Sequence, residues 1–322
     1  MKLKTIKTVD AIGKVLSHDI TKIVPGEFKG RLYKKGHIIT KEDVEKLLAV
    51  GKDILYVYEE TPGYIHENDA AYRLKEILTG DNINTTEVSE GKINLIANVD
   101  GVLKIDTDKL CRLNMIDQVI CATKPNLSFV KKNTIIAGTR VIPLIIDETR
   151  IEEAEKIGKK IINVLPIKRK KIAIITTGNE VFYGRIEDKF QELLLSKLND
   201  FDIEYLGQKI CPDDEEVVTK SINDFIGNGA EVIICTGGMS VDASDITPKA
   251  IENVAKPVSY GMPVLAGSMT MVAYGDGYTV LGLPAGMLFT EKSTFDVLIH
   301  RVLADDVITR EEIALYGNGG LL

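Results

Sequence analysis

The second half of the chain alternates short apolar runs with amphipathic stretches. Ile172-Ala173-Ile174-Ile175 is a β-branched run that ends at Thr176-Thr177-Gly178. Residues 188–198 then repeat apolar positions at helical spacing, with Phe190, Leu193, Leu194 and Leu198 on one face. A strand is expected over 203–210. A helix follows over 214–226, carrying Val217, Val218, Ile222, Phe225 and Ile226 and closed by Gly227 and Gly229. A strand over 231–235, a helix over 245–254, strands over 270–274 and 278–283, and a helix over 287–303 complete the pattern. Apolar strands separated by helices imply a mainly parallel sheet covered on both faces, hence an α/β domain.

The first half reads differently. Helices are expected over 41–50 (Val44, Leu47, Leu48), 68–78 (Ala71, Leu74, Leu78) and 151–165, the last ending at Pro166. Strands are expected over 54–58, 92–97, 101–106, 118–123 and 141–146, with turns at Pro25-Gly26-Glu27-Phe28-Lys29-Gly30 and at Gly138-Thr139-Arg140. Arg140 is read as a surface salt-bridge former or as a reach toward an anion. The basic run Lys168-Arg169-Lys170-Lys171 is taken as a solvated linker. The expected division is a β-rich α+β region over 1–167, the α/β domain over 168–305 and a tail over 306–322.

Composition narrows the function classes. A net charge of −7 argues against charge-driven nucleic-acid binding. No run approaches the length of a membrane helix and the N-terminus has no signal-peptide core, so a cytoplasmic protein without membrane or nucleic-acid partners is expected. Cys111, Cys121, Cys211 and Cys235 form no C-x-x-C pair and the histidines are scattered, which offers no zinc spacing.

The candidate chemistry lies where strands end. Thr236-Gly237-Gly238-Met239-Ser240-Val241-Asp242 leads to Asp245-Ile246-Thr247-Pro248. Paired glycines let backbone approach a ligand, and a following helix start favours an anion. Asp245 is placed to hold Mg²⁺ beside a phosphate. Read as plain structure, Asp245 is a helix N-cap. The same two readings apply to Glu180 and to Asp213 and Asp214 after Pro212. Three loops from three parallel strands would bring these carboxylates to one rim.

The set Thr177-Gly178-Asn179-Glu180, Pro212-Asp213-Asp214, Thr236-Gly237-Gly238-Met239-Ser240, Asp245-Ile246-Thr247-Pro248 and Gly282-Leu283-Pro284 resembles the molybdopterin-binding domain of molybdopterin adenylyltransferases, molybdopterin molybdotransferases and gephyrin-like proteins. The resemblance covers about 170–305. It implies a three-layer α/β/α sandwich that binds molybdopterin or its adenylated form. It implies catalytic roles for Asp213 and Asp245, with Mg²⁺ held between them and ATP as nucleotide. Gly237, Gly238 and Ser240 would hold the terminal phosphate. Thr177, Gly178, Glu180, Asp214, Thr236, Met239, Asp242, Leu283 and Pro284 would line the ligand site.

Three segments depart from the family pattern, which places the chain on a divergent branch. Val241-Asp242 stands where the family has glycine after the hydroxyl residue, so that a side chain would occupy ligand space. Asp188-Lys189 replaces an aspartate–asparagine pairing, and Leu283-Pro284-Ala285-Gly286-Met287 replaces L-P-G-N-P. The implied function is a step of molybdenum-cofactor biosynthesis, either Mg-dependent adenylylation of molybdopterin or handling of the adenylated form during molybdate insertion. The alternative is a non-catalytic carrier that delivers the cofactor to a recipient molybdoenzyme. Self-association into a homo-oligomer is implied by the resemblance.

Overall fold

The computed structural model describes residues 5–24, 28–57, 62–242 and 244–322. The chain divides into two compact units. The first is Met1–Asn98, Leu103–Asn126 and Lys132–Val164; the second is Val99–Val102, Leu127–Lys131 and Leu165–Leu322.

In the first unit, four antiparallel strands run in the order Ile83–Thr85, Lys92–Ala97, Ile135–Val141, Val119–Thr123. Helix Glu67–Leu78 buries Ala70, Ala71, Leu74, Ile77 and Leu78, the apolar stripe that its spacing predicts. A smaller core of Ala11, Leu16, Ile20, Ile39, Leu47 and Leu55 gathers around helix Lys41–Ala49. Asp43 ties this region together. It accepts from the Tyr33 hydroxyl at 2.6 Å, from His37 Nε2 at 2.7 Å and from the Thr40 N–H at 2.9 Å.

Several expectations change here. Gly138-Thr139-Arg140 lies inside a strand, and the turn falls one step later, around Pro143, which also breaks the expected strand over 141–146. Arg140 forms no salt bridge among the described residues; its Nε donates to the Val141 carbonyl at 3.3 Å. The helix expected over 151–165 is Glu148–Lys156. Gly158, at φ +112, closes it, and the β-branched Ile161-Ile162 start a strand over Ile162–Pro166. Helix Thr107–Asn114 escapes a periodicity reading because Leu113 is its only buried residue. Pro25 to Glu27 and Tyr58 lie outside the described residues.

The second unit holds six strands: β1 (Lys171–Thr177), β2 (Glu204–Cys211), β3 (Val232–Thr236), β4 (Lys256–Tyr260), β5 (Met271–Tyr274) and β6 (Thr279–Leu283). Their order is β2-β1-β3-β6-β5-β4. The pairs among β2, β1, β3 and β6 are parallel; β5 and β4 add antiparallel strands at one edge. The helices are α1 (Asn179–Phe182), α2 (Phe190–Leu198), α3 (Glu215–Gly227), α4 (Thr247–Glu252), α5 (Thr294–Leu303) and α6 (Arg310–Leu315).

Apolar clusters cover both faces of the sheet. Leu194, Leu198, Phe295, Leu298 and Val302 pack with Ile172, Ile174 and Ile234 on one side; Val218, Ile222, Ala250 and Ile251 pack with Ala173, Ile175 and Ile233 on the other. Alternate residues of each strand thus feed opposite layers, and the architecture is a three-layer α/β/α sandwich. The helix expected over 287–303 is shorter, Thr294–Leu303. Residues Ala285–Phe289 form a 3-10 turn, and Ser293 with Asp296 builds a capping box that starts α5.

Two charged residues pin the edges of this unit. Arg169, within the expected linker, donates to Asp305 Oδ1 at 2.6 Å and to the Glu231 carbonyl at 2.9 Å, so it is fastened rather than solvated. Arg301 is fully buried and donates to Asp306 Oδ2 at 2.6 Å, Glu312 Oε2 at 3.0 Å and the Tyr316 hydroxyl at 3.2 Å. Residues beyond 305 are therefore part of the packed unit, and Ile308 and Ile313 sit in its core.

Candidate functional site

Strand β1 lies between β2 and β3, and the chain leaves it toward β2 whereas β3 continues to the opposite side. The crevice at the carboxyl ends of β1 and β3 is thus a topological switch point, the place where α/β sheets bind ligands. The loops that follow β1, β2 and β3 carry Gly178, Asp213 and Gly237-Gly238 at this end of the sheet.

The glycines are required by the backbone. Gly178, Gly237 and Gly238 have φ values of +144, +83 and +55. A Cβ on Gly237 would stand 2.3 Å from the Thr177 carbonyl oxygen, and one on Gly238 would stand 2.8 Å from Thr247 Oγ1. The β3 loop can therefore press against the β1 loop only with glycine at these positions.

The hydroxyls lock the two loops. Thr177 Oγ1 lies 3.0 Å from Thr247 Oγ1, and Thr247 Oγ1 donates to the Gly237 carbonyl at 2.9 Å. Each hydroxyl has one proton. With that of Thr247 committed to Gly237, Thr177 donates to Thr247 in preference to the Thr236 carbonyl, which is farther at 3.3 Å. Deeper down, Gln208 Nε2 joins Thr176 Oγ1 at 2.8 Å to Asp188 Oδ2 at 2.6 Å. Asp188 also accepts from the Phe190 and Gln191 N–H groups, so it caps α2.

The β2 loop is fastened to β1 as well. Asp213 Oδ2 accepts from the Asn179 N–H at 3.0 Å, and Gly178 N–H donates to the Cys211 carbonyl at 3.2 Å. Asp214 is a helix cap: its Oδ1 accepts from the Val217 N–H at 3.1 Å. Asp245 is not one. Ile246 holds the N-cap position of α4, and Asp245 Oδ2 instead accepts from the Asp242 N–H at 2.9 Å. Asp213 and Asp245 thus each anchor one oxygen to backbone, and the other oxygen accepts no hydrogen bond from the described residues.

The loop after β3 presents its backbone outward. From Gly237 through Val241, no N–H group donates to any of the described residues; the first to do so is that of Asp242. The Tyr260 hydroxyl donates to the Met239 carbonyl at 2.8 Å and lies 3.2 Å from the Ser240 carbonyl. Burial raises the Tyr260 pKa, and the charge of Asp245 raises it further.

The remaining candidates divide by burial. Thr236, Met239 and Leu283 have buried side chains, and Met239 packs against Gly282, so these three stiffen the rim from beneath. Glu180, Ser240, Asp242 and Val241 are exposed. Val241 is 84 % exposed. Glu180 folds back over Gly178. Pro284 is half-buried at the end of β6.

The carboxylates do not form a ready-made metal cage. Among the described residues no group of three or more His, Cys, Asp or Glu side chains is placed to hold a metal ion. Strands β2 and β3 flank β1, which separates their ends by about 10 Å at the usual inter-strand spacing. Mg²⁺ commonly takes one or two carboxylates and completes its shell with phosphate oxygens and water. Sequence reasoning missed Tyr260, Thr247 as a lock and Gln208. Thr247 stood inside a recognised motif; Tyr260 and Gln208 carried no local signal.

Residues 173–305 match a family described as a probable molybdopterin binding domain. A molybdopterin adenylyltransferase from Pyrococcus furiosus is 32% identical over 105 residues, which are 32% of this chain and 62% of that protein. Residues 173–305 belong to the molybdopterin-binding domain family. The molybdopterin-binding domain is thus of the molybdenum-cofactor biosynthesis type, with an adenylyltransferase among its distant relatives. The chain spans just under two thirds of that relative's length. Among solved structures, the molybdopterin biosynthesis enzyme MoaB from Thermus thermophilus is 16% identical with a TM-score of 0.37, over 42% of this chain and 97% of that one. The molybdopterin biosynthesis MoeA protein from Pyrococcus horikoshii is 13% identical with a TM-score of 0.36, over 94% of this chain and 75% of that one. Outside the molybdopterin-binding domain, residues 5–59 match a domain of unknown function. Among the described residues no helix is long and apolar enough to cross a membrane.

Proposed function

We propose that the protein binds the phosphate of molybdopterin in the loop Gly237–Val241 and catalyses a Mg-dependent step of molybdenum-cofactor biosynthesis, adenylylation of that phosphate by ATP. One observation carries this reading: among the described residues the successive N–H groups of Gly237–Val241 find no acceptor, and Asp213 and Asp245 on the neighbouring loops each have one oxygen held by a backbone donor. An anionic tail satisfies the N–H groups. When bound, Mg²⁺ neutralises charge on the nucleotide phosphates, and positioning accounts for most of phosphoryl-transfer catalysis. Asp213 and Asp245 would hold the ion. Asn179 and Asp242 keep these two carboxylates turned to the crevice, and the Thr177–Thr247 lock keeps the loop at its place on the rim.

The test is incubation of the purified protein with molybdopterin and Mg-ATP. Formation of adenylated molybdopterin and pyrophosphate supports the enzyme. Tight pterin binding with no adenylated product overturns adenylylation and leaves a cofactor carrier. Asp213→Asn and Asp245→Asn should abolish product formation while retaining pterin binding.

A further inference from the structure

We infer that Tyr260 is a positioning residue for the phosphate loop: by donating to the Met239 carbonyl it turns the N–H group of Ser240 toward the bound anion. The inference rests on the proposed phosphate-binding role of that loop. Tyr260 ends β4, the outer antiparallel strand, and is far from Met239 in sequence. Its hydroxyl donates to the Met239 carbonyl at 2.8 Å and is 3.2 Å from that of Ser240.

The consequence follows from peptide geometry. In a trans peptide the carbonyl of one residue and the N–H of the next point in opposite directions. Drawing the Met239 carbonyl to the hydroxyl therefore sends the Ser240 N–H the other way. That N–H donates to none of the described residues. Without the hydroxyl, this peptide unit would be free to rotate, and an incoming anion would have to order it. The flanking glycines, both at positive φ, give the loop little stiffness of its own. Tyr260 supplies stiffness that these glycines cannot.

The ring is 46 % exposed, so removing the hydroxyl alone perturbs no core. The experiment compares wild type with Tyr260→Phe in titrations with inorganic pyrophosphate, read by calorimetry and by the amide resonance of Ser240. A net hydrogen bond of ordinary strength predicts binding weaker by about 3- to 10-fold in Tyr260→Phe. The thermal midpoint of the free protein should fall by no more than one such hydrogen bond is worth, and the pyrophosphate-induced shift of the Ser240 amide should shrink. A merely structural role would lower the midpoint and leave that shift intact. Equal affinity and an equal amide shift in the two proteins overturn the inference. Wild type that binds no pyrophosphate overturns the phosphate-loop reading itself, a separate result.

Discussion

Thr177 and Thr247 meet through their hydroxyls at 3.0 Å, and both side chains are buried. The proton order Thr177 to Thr247 to the Gly237 carbonyl makes the two residues unequal. Thr247→Val leaves the Gly237 carbonyl without its donor, whereas Thr177→Val leaves that bond in place. In urea denaturation Thr247→Val should cost about 1–3 kcal/mol, the penalty of a buried polar group left unpaired, and Thr177→Val should cost less. Equal losses would contradict the proton order.

Gly237→Ala meets a backbone oxygen at 2.3 Å and requires a left-handed conformation at φ +83. Conformational strain alone is worth about 1–3 kcal/mol. The loop should back away from Thr177, and pyrophosphate binding should fall by more than the loss of stability predicts. Calorimetry beside a melting curve separates the two effects.

Asp213 and Asp214 are neighbours with different duties. Asp214→Ala removes a cap and should lower stability by about 1 kcal/mol without changing Mg-ATP turnover. Asp213→Asn keeps an acceptor for the Asn179 N–H but loses its charge, so it should keep stability and lose turnover. Paired measurements of the two variants test the assignment.

Glu67 is 7 % exposed, and burial pushes its carboxyl up to about 6, against the opposing pull of Arg140. A folded-state pKa above the unfolded value means that folding favours the protonated acid. Its contribution is present at low pH and is lost as pH rises through the window from about 4.5 to 6. Glu67→Gln should therefore be more stable than wild type at pH 7.5, by on the order of 1–2 kcal/mol. That advantage should disappear by pH 4.5, in denaturant titrations of both proteins at the two pH values.

Arg301 sits at 0 % exposure among Asp306, Glu312 and Tyr316. Arg301→Ala removes the cation from this buried ion-pair network and should destabilise by about 3–5 kcal/mol. Arg301→Lys restores charge but not the fork of donors, and should recover only part of that loss in thermal melts.

The second unit was largely legible because its strands are continuous apolar runs and its helices carry clear stripes. Ile172 to Ile175 and the face of Val218 and Ile222 fall where the pattern places them. Strand Lys256–Tyr260 was not legible: Lys-Pro-Val-Ser-Tyr has a proline and no alternation, and only pairing with β5 makes it a strand. The start of α5 was readable in hindsight from Ser293 and Asp296, a cap that outranks the apolar Met287 and Leu288 upstream. At the site, glycines and acids announce themselves locally. The link from Tyr260 to Met239 does not, since it exists only after an edge strand is laid against the sheet. Thr247 shows the intermediate case, visible in a motif but silent about its partner.

The match to the molybdopterin-binding family ends at residue 305, yet among the described residues the guanidinium of Arg301 finds its counterions at Asp306 and Glu312. A polypeptide severed at that boundary would retain every crevice residue and still leave a permanent cation facing hydrocarbon. Excising the domain for biochemical work therefore means carrying the chain through Leu322, whose N–H pairs with the Leu265 carbonyl, and the family boundary is not the folding boundary.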